Sequence, residues 1–188
     1  MTQLSGLLRE LEAEWARLGV PVNTLLRPPL QALTIRSELE PLIGPVHPDL
    51  LAWFEWHDGS EPLWVAAPWR GAFATVHFAI SQREMNMEIS AGEDIEHDPN
   101  PYGWGAEWIP LLTGPSMGDL VLNSATGEVL APYWDDNRWP NRVAPDLSTA
   151  VALWLDVLRR DYFRWIDGAW IYDYAAIPAE IRASDLVN

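Results

Sequence analysis

Leu4, Leu7, Leu8, Leu11, Trp15 and Leu18 recur at three- and four-residue intervals, with Arg9, Glu10, Glu12, Glu14 and Arg17 between them. That spacing predicts an amphipathic helix over 4–18, stopped by Gly19 and Pro21. The stretch from Val20 to Leu33 holds Pro21, Pro28 and Pro29 and reads as an extended connector, which leaves open whether the first helix docks on the rest of the chain or separately. A second helix is predicted from a Thr34 cap through Ile35, Leu39 and Leu42 to Gly44, with Pro41 kinking or shortening it. A third starts at Pro48, places Leu50, Leu51 and Phe54 on one side, and ends at His57-Asp58-Gly59.

The middle of the chain changes period. Leu63–Ala67 and Ala72–Phe78 are short apolar runs bounded by Pro and Gly, which predicts strands. Ser81 and Glu84 have the spacing of a capping box, predicting a brief helix over 81–87, and Glu93–Asp98 reads as an acidic loop. Strands are expected at Trp108–Leu112, Asp119–Leu122 and Glu128–Tyr133, the last two joined by a turn at Asn123–Gly127. A long helix comes next, from Asp146 or Ser148, with Leu147, Val151, Trp154, Leu155, Leu158 and Tyr162 on its buried face. Asp167-Gly168 suits a hairpin turn, and a helical turn is expected after Pro178. The order is helices, a largely antiparallel sheet, then a helix: an α+β domain. Three segments result: an N-terminal helix and Pro-rich connector over 1–32, the α+β domain over 33–165, and a C-terminal extension over 166–188.

Composition narrows the function. A chain of 188 residues is the size of one domain with a short appendage and can bury a self-sufficient core. It has no cysteine, which excludes disulfides, thiolate metal sites and a cysteine nucleophile, and fits a reducing compartment. All twelve basic residues are arginine, which removes P-loop and Schiff-base lysines. The alternating charges of the first twenty residues do not form a signal peptide, and no apolar run is long enough to span a membrane. A cytoplasmic protein is expected. A net charge of −15 repels nucleic acid and anionic lipid and accelerates encounter with a basic partner, although solubility alone explains acidity in many proteins. Twelve tryptophans are expected mostly in packing positions, with some on a contact surface.

Candidate chemistry is sparse. Gly114-Pro115-Ser116-Met117-Gly118 matches the G-x-S-x-G nucleophile elbow in form. The elbow needs a helix after the serine and a histidine later in the chain, whereas here the next run is strand-like and the last histidine is His97. His47, His57, His77 and His97 lie too far apart in sequence to make a helical zinc pair. The acids around His97-Asp98 lack the ligand and glycine spacing of a calcium loop. Asp135-Asp136, beside Trp134 and Trp139, raises a sugar-active reading, but neighbouring strand residues point to opposite faces. No catalytic residue, metal site or cofactor is therefore expected.

The order of motifs resembles the SUKH superfamily. Ile35-x-x-x-Leu39 to Gly44, His47-Pro48-Asp49-Leu50-Leu51 and Phe54-x-x-His57-Asp58-Gly59 are similar to the opening helices of that family. Trp108-Ile109-Pro110-Leu111 is similar to its Ile-Pro strand, Gly118-Asp119-Leu120-Val121-Leu122 to its Gly-Asp strand, and Gly127-Glu128-Val129 to the hairpin return. Val143-Ala144-Pro145-Asp146-Leu147 then leads into the last helix. The likeness covers roughly Leu33 to Leu158. It departs from the family pattern where His47-Pro48 stands for Leu-Pro, Asp58-Gly59 for Asn-Gly and Asp146-Leu147 for Ser-Phe. The resemblance implies a compact SUKH-like α+β domain without catalytic residues. Bacterial members of the family are mostly immunity proteins that neutralise toxins, often nucleases or deaminases, and fungal relatives regulate cell-wall assembly through protein contacts. In the family the Ile-Pro and Gly-Asp strands border a central groove. The resemblance therefore implies that Trp108, Ile109, Pro110, Gly118 and Asp119 face a partner. A structural role is the other reading, because Pro110 interrupts strand pairing and Gly118 suits a turn.

These readings converge on a protein-binding domain of immunity type with a basic, nuclease-like toxin as partner, and with neither nucleic acid nor membrane bound directly. Asp58, Glu61, Asp119, Asp135 and Asp136 are expected to supply charge around a contact anchored by Trp56 and Trp134. A regulatory scaffold without a toxin partner is the alternative, and a carbohydrate-active protein a third reading.

Overall fold

The computed structural model describes residues 2–61, 64, 66–69, 71–92, 103–114, 119–132 and 141–182. The first helix, α1 (Gln3–Arg17), opens where Thr2 Oγ1 accepts the Ser5 amide at 3.2 Å. A single turn, α2 (Val22–Leu25), interrupts the connector. Helix α3 (Ala32–Ile43) begins two residues before the Thr34 cap, continues through Pro41 and ends at Gly44, whose φ of 72° only glycine adopts without strain. Helix α4 (Pro48–Trp56) has proline in its first turn and His47 as cap, with Nδ1 accepting the Asp49 amide at 3.2 Å.

The expected strand over 72–78 is only two residues long, β1 (Ala72–Phe73), and the brief helix over 81–87 is a 17-residue helix, α5 (Val76–Gly92). Two side chains start it. Thr75 Oγ1 accepts the Phe78 amide at 3.1 Å, and Asp58 Oδ1 accepts the Val76 amide at 2.8 Å. The second cap comes from eighteen residues upstream, so the local run of β-favouring residues gives no sign of it. Of the strand expected at Leu63–Ala67, Leu63 and Val65 lie outside the described residues, and Ala66 makes an isolated antiparallel bridge to Gly71. The Glu93–Asp98 loop and Tyr133, the end of the strand expected from Glu128, also lie outside them.

Strands β2 (Trp108–Thr113), β3 (Leu120–Asn123), β4 (Val129–Ala131) and β5 (Asn141–Ala144) join β1 in a five-stranded antiparallel sheet of order β1-β2-β3-β4-β5. Paired Ile109, Leu122 and Val129 share one face of the sheet and belong to the main core. Paired Val121 and Leu130 lie on the other face and form a second cluster with Trp104, Trp108 and half-buried Met87. Burial on both faces explains why these strands read as continuous apolar runs and not as alternation.

The N-terminal segment is part of the domain. Leu4, Leu8, Leu11 and Trp15 are buried in the main core, where α1 packs on α4 and on α6 (Leu147–Arg159), and Trp15 Nε1 donates to the Ala67 carbonyl at 3.0 Å. The connector extends the sheet beyond β1. Ser60 donates its amide to the Phe73 carbonyl at 3.1 Å, and Leu26 bridges Ser60 through Arg27 N–Gly59 O at 3.0 Å and Glu61 N–Leu25 O at 2.8 Å. These short segments cover what is otherwise an open sheet edge. The point that the sequence leaves open is thus settled for α1, which packs on α4 and α6.

Asp146 Oδ1 caps α6 by accepting the Thr149 amide at 2.7 Å. Strands β6 (Phe163–Ile166) and β7 (Ala169–Tyr172) form the hairpin expected at Asp167-Gly168, both of whose φ angles are positive, at 50° and 81°. A 3₁₀ turn (Tyr174–Ala176) and the short helix α7 (Ala179–Arg182) come after it, and Ile177 and Ile181 return to the main core. No helix among the described residues is long and apolar enough to cross a membrane.

Candidate functional site

The aromatic residues that look scattered in sequence meet behind α4. Trp15 lies 5.3 Å from Trp64 and 5.8 Å from Phe73, both edge to face; Trp53 and Trp56 are 5.7 Å apart; and Phe73 is 5.2 Å from Trp53. Such offset contacts add roughly 0.5–1.5 kcal/mol each beyond their area burial, and they fix Trp56 at the end of α4. The ring is partly exposed. It forms one wall of a cavity of about 300 Å³ between α1 and α4, lined also by Ser5, Arg9, Glu12, Pro29, Glu55 and His57.

Glu12 organises this cavity. Its Oε2 accepts Trp56 Nε1 at 3.1 Å and lies 3.4 Å from His57 Nε2, a contact that becomes an ion pair only on the protonated ring. His57 Nδ1 is 2.6 Å from the Arg27 carbonyl, which can only accept, so that nitrogen carries a proton. With the proton on Nδ1, the neutral ring leaves Nε2 bare beside the Glu12 carboxylate. Ser5 Oγ is 2.8 Å from Thr2 Oγ1. The cavity lining combines a fixed indole with the carboxylates of Glu12 and Glu55.

The connector and the end of α4 with its following loop are tied by Asp58 N–Pro28 O at 3.2 Å and Leu30 N–Phe54 O at 3.0 Å. A second cavity, about 300 Å³, lies against β1 and the start of α5 and is lined by Arg27, Phe73, Thr75, Phe78 and Thr113 among others. Glu61 stands exposed beside it with Oε1 3.9 Å from Arg27 Nε, a long surface pair of little energetic weight.

The expected site residues divide. Trp56, Asp58 and Glu61 come from one stretch of chain at this face, but Asp58 is a helix cap and is half-buried. Trp108, Ile109 and Pro110 do not form a surface. Ile109 is fully buried in the main core and Trp108 is buried in the second cluster. Pro110 is buried where the β2–β3 register shifts, the place where a residue without an amide hydrogen is tolerated. Asp119 is half-buried at the entry to β3, and Asn86 Nδ2 reaches its Oδ2 at 3.4 Å. Burial pushes the Asp119 carboxyl up to about 6, and the Asn86 hydrogen bond only partly opposes this. Gly118, Trp134, Asp135 and Asp136 lie outside the described residues, as do Ser116 of the elbow-like motif and His97. The element after that motif is strand β3, not the helix an elbow requires.

Sequence reasoning missed Glu12 and Glu55. Glu12 falls on a segment that reads as an appendage, and Glu55 is one exposed acid among 27 acidic residues. The available signal was weak: Glu12 precedes Trp15 by one helical turn and Glu55 adjoins Trp56, but nothing in the spacing links the two helices. Among proteins already described, no family model matches the chain and no curated protein matches it.

Proposed function

We propose that this chain is a SUKH-like, non-catalytic protein-binding domain of immunity type, which acts in the cytoplasm by binding and neutralising a basic, nuclease-like toxin. The observation that carries the reading is the cavity between α1 and α4, lined by the partly exposed Trp56 indole together with Glu12 and Glu55 on a chain of net charge −15. A fixed aromatic ring at a concave site is a frequent hot spot in protein interfaces. Surrounding acid steers a basic partner and raises its association rate. A nuclease is basic because it must approach phosphates, so an acidic inhibitor complements its cleft. The motif order of the sequence supports the same reading, and the α+β architecture with an antiparallel sheet is compatible with it.

The test is inhibition by stoichiometric mixing. The purified protein is titrated against the toxin-like product of the neighbouring gene, with nuclease activity and calorimetry as readouts. We expect tight binding that weakens at least about tenfold when salt rises by roughly a factor of ten, about the change that a few released charge contacts produce. Trp56→Ala should weaken it by a further tenfold or so. If no neighbouring product is inhibited or bound, the reading fails.

A further inference from the structure

The cavity between α1 and α4 carries more than a general preference for a basic partner. Its lining brings the Trp56 ring and Pro29 together with Glu12 and Glu55. Both short contacts of Glu12 go to Oε2, and among the described residues nothing hydrogen-bonds to Glu12 Oε1 or to the Glu55 carboxylate. The Trp56 N–H is already satisfied by Glu12, so what the partly exposed indole offers the cavity is ring surface and not a polar atom. Arg9 also lines the site and has an interaction of its own, and with Glu12 and Glu55 the three lining charges sum to about one negative.

A ligand for this lining must be flat enough to lie on an indole, apolar on its faces, positively charged, and able to donate in two directions at its edge. A guanidinium meets all four conditions. It is planar and weakly hydrated, stacks on aromatic rings, and presents its five donors in a fork that suits carboxylate oxygens. An ammonium is a compact, strongly hydrated point charge that makes poorer use of the ring. A volume of about 300 Å³ also suits the end of a single side chain better than a folded segment.

We propose that this cavity receives one arginine side chain of the partner protein, its guanidinium stacked on Trp56 and held between Glu12 and Glu55. The assignment rests on the protein-binding reading above and gives that site its ligand chemistry.

The probe is N-acetyl-arginine-amide, with binding read by two-dimensional NMR of the Trp56 indole N–H and compared with the citrulline and lysine analogues. Citrulline keeps the planar shape of arginine but lacks the charge and has a carbonyl acceptor in place of one NH2 donor; lysine keeps the charge but lacks the plane. The expected result is a saturable shift of the Trp56 signal by the arginine probe in the millimolar range. Citrulline should bind about tenfold more weakly and lysine several-fold more weakly. Glu55→Gln, at an exposed position that leaves thermal stability unchanged, should weaken arginine binding about tenfold. Equal binding of citrulline or lysine, no saturable shift, or an unaltered affinity in Glu55→Gln overturns the assignment. The two proposals fail separately. Selective arginine binding without toxin inhibition removes the immunity function, whereas toxin inhibition unaffected by Glu55→Gln, with no arginine selectivity, removes this one.

Discussion

The carboxylate of Asp58 accepts the backbone amide of Val76 at 2.8 Å, joining the loop after α4 to the first turn of α5. This contact sets where the chain stops being strand and becomes helix, and it gives Asp58 a structural role where sequence reading saw only surface charge. Replacing Asp58 by alanine orphans a helix-terminal amide and should lower stability by about 1 kcal/mol, or roughly 2–4 °C in Tm for a chain of this size. Asparagine at this position, an equally good cap, should restore most of the loss while removing the charge. Differential scanning calorimetry of Asp58→Ala and Asp58→Asn decides it; equal destabilisation by both would show that charge, not capping, is what matters.

Gly59 makes the same junction sterically exclusive. Its φ is +81°, and a Cβ there would lie 2.7 Å from the Thr75 amide nitrogen and 2.9 Å from the Phe73 carbonyl oxygen. Both obstacles are backbone, held by β1 pairing and by the start of α5, so neither can move aside cheaply. Gly59→Ala should therefore cost about 2 kcal/mol or more, exceeding Asp58→Ala, and should lower the urea midpoint without restoring any contact. A urea midpoint within error of wild type would contradict the close approach.

Much of this architecture was legible from residues 4–18, 48–56 and 147–159, because a helix that buries one stripe shows the stripe directly. The hairpin at Asp167-Gly168 was legible for a different reason: two consecutive positive φ angles restrict the residues that fit. Helix α5 was not legible, since its cap at Asp58 is a tertiary contact and Phe73, Val76 and Phe78 have the composition of a strand. The site was only half legible. Trp56 stood out as an aromatic residue near acids, but Glu12 reaches it across 44 residues through the packing of α1 on α4. Ile109 and Pro110 misled for the opposite reason, because a run of residues that reads as a motif is as readily explained by packing as by a surface, and both are buried.

Asp119 should make stability depend on pH in a direction unusual for a carboxylate. Burial raises its carboxyl from 3.8 to about 6 in the folded protein, so between those values the native state holds a proton that the unfolded chain has released. Stability from this group is fully present below about pH 4 and is lost as pH rises through about 6. Asp119→Asn removes the titration and should raise stability at about pH 7 by roughly 1–3 kcal/mol, with no gain at about pH 4. Urea denaturation of both proteins at a series of pH values across that range tests this. A difference between them that fails to grow with pH would mean that Asp119 is well solvated.

The sharpest test of the architecture is the removal of α1. Leu4, Leu8, Leu11 and Trp15 are all essentially inaccessible in the main core, and each contributes about 2–3 kcal/mol of apolar burial. Together they approach the roughly 5–15 kcal/mol by which a whole domain is stable. A chain beginning at Leu30 should therefore lose cooperative unfolding and expose apolar surface to a dye such as ANS, instead of yielding a slightly weaker domain. Leu8→Ala probes the same interface without deletion and should cost about 2–5 kcal/mol, with Leu8→Met well below that. The site falls with the helix: without Glu12, the Trp56 N–H has lost its acceptor and the cavity one of its two carboxylates. A truncated chain that unfolds cooperatively near the parental midpoint would mean that α1 is an appendage, and would detach Glu12 from the proposed recognition chemistry.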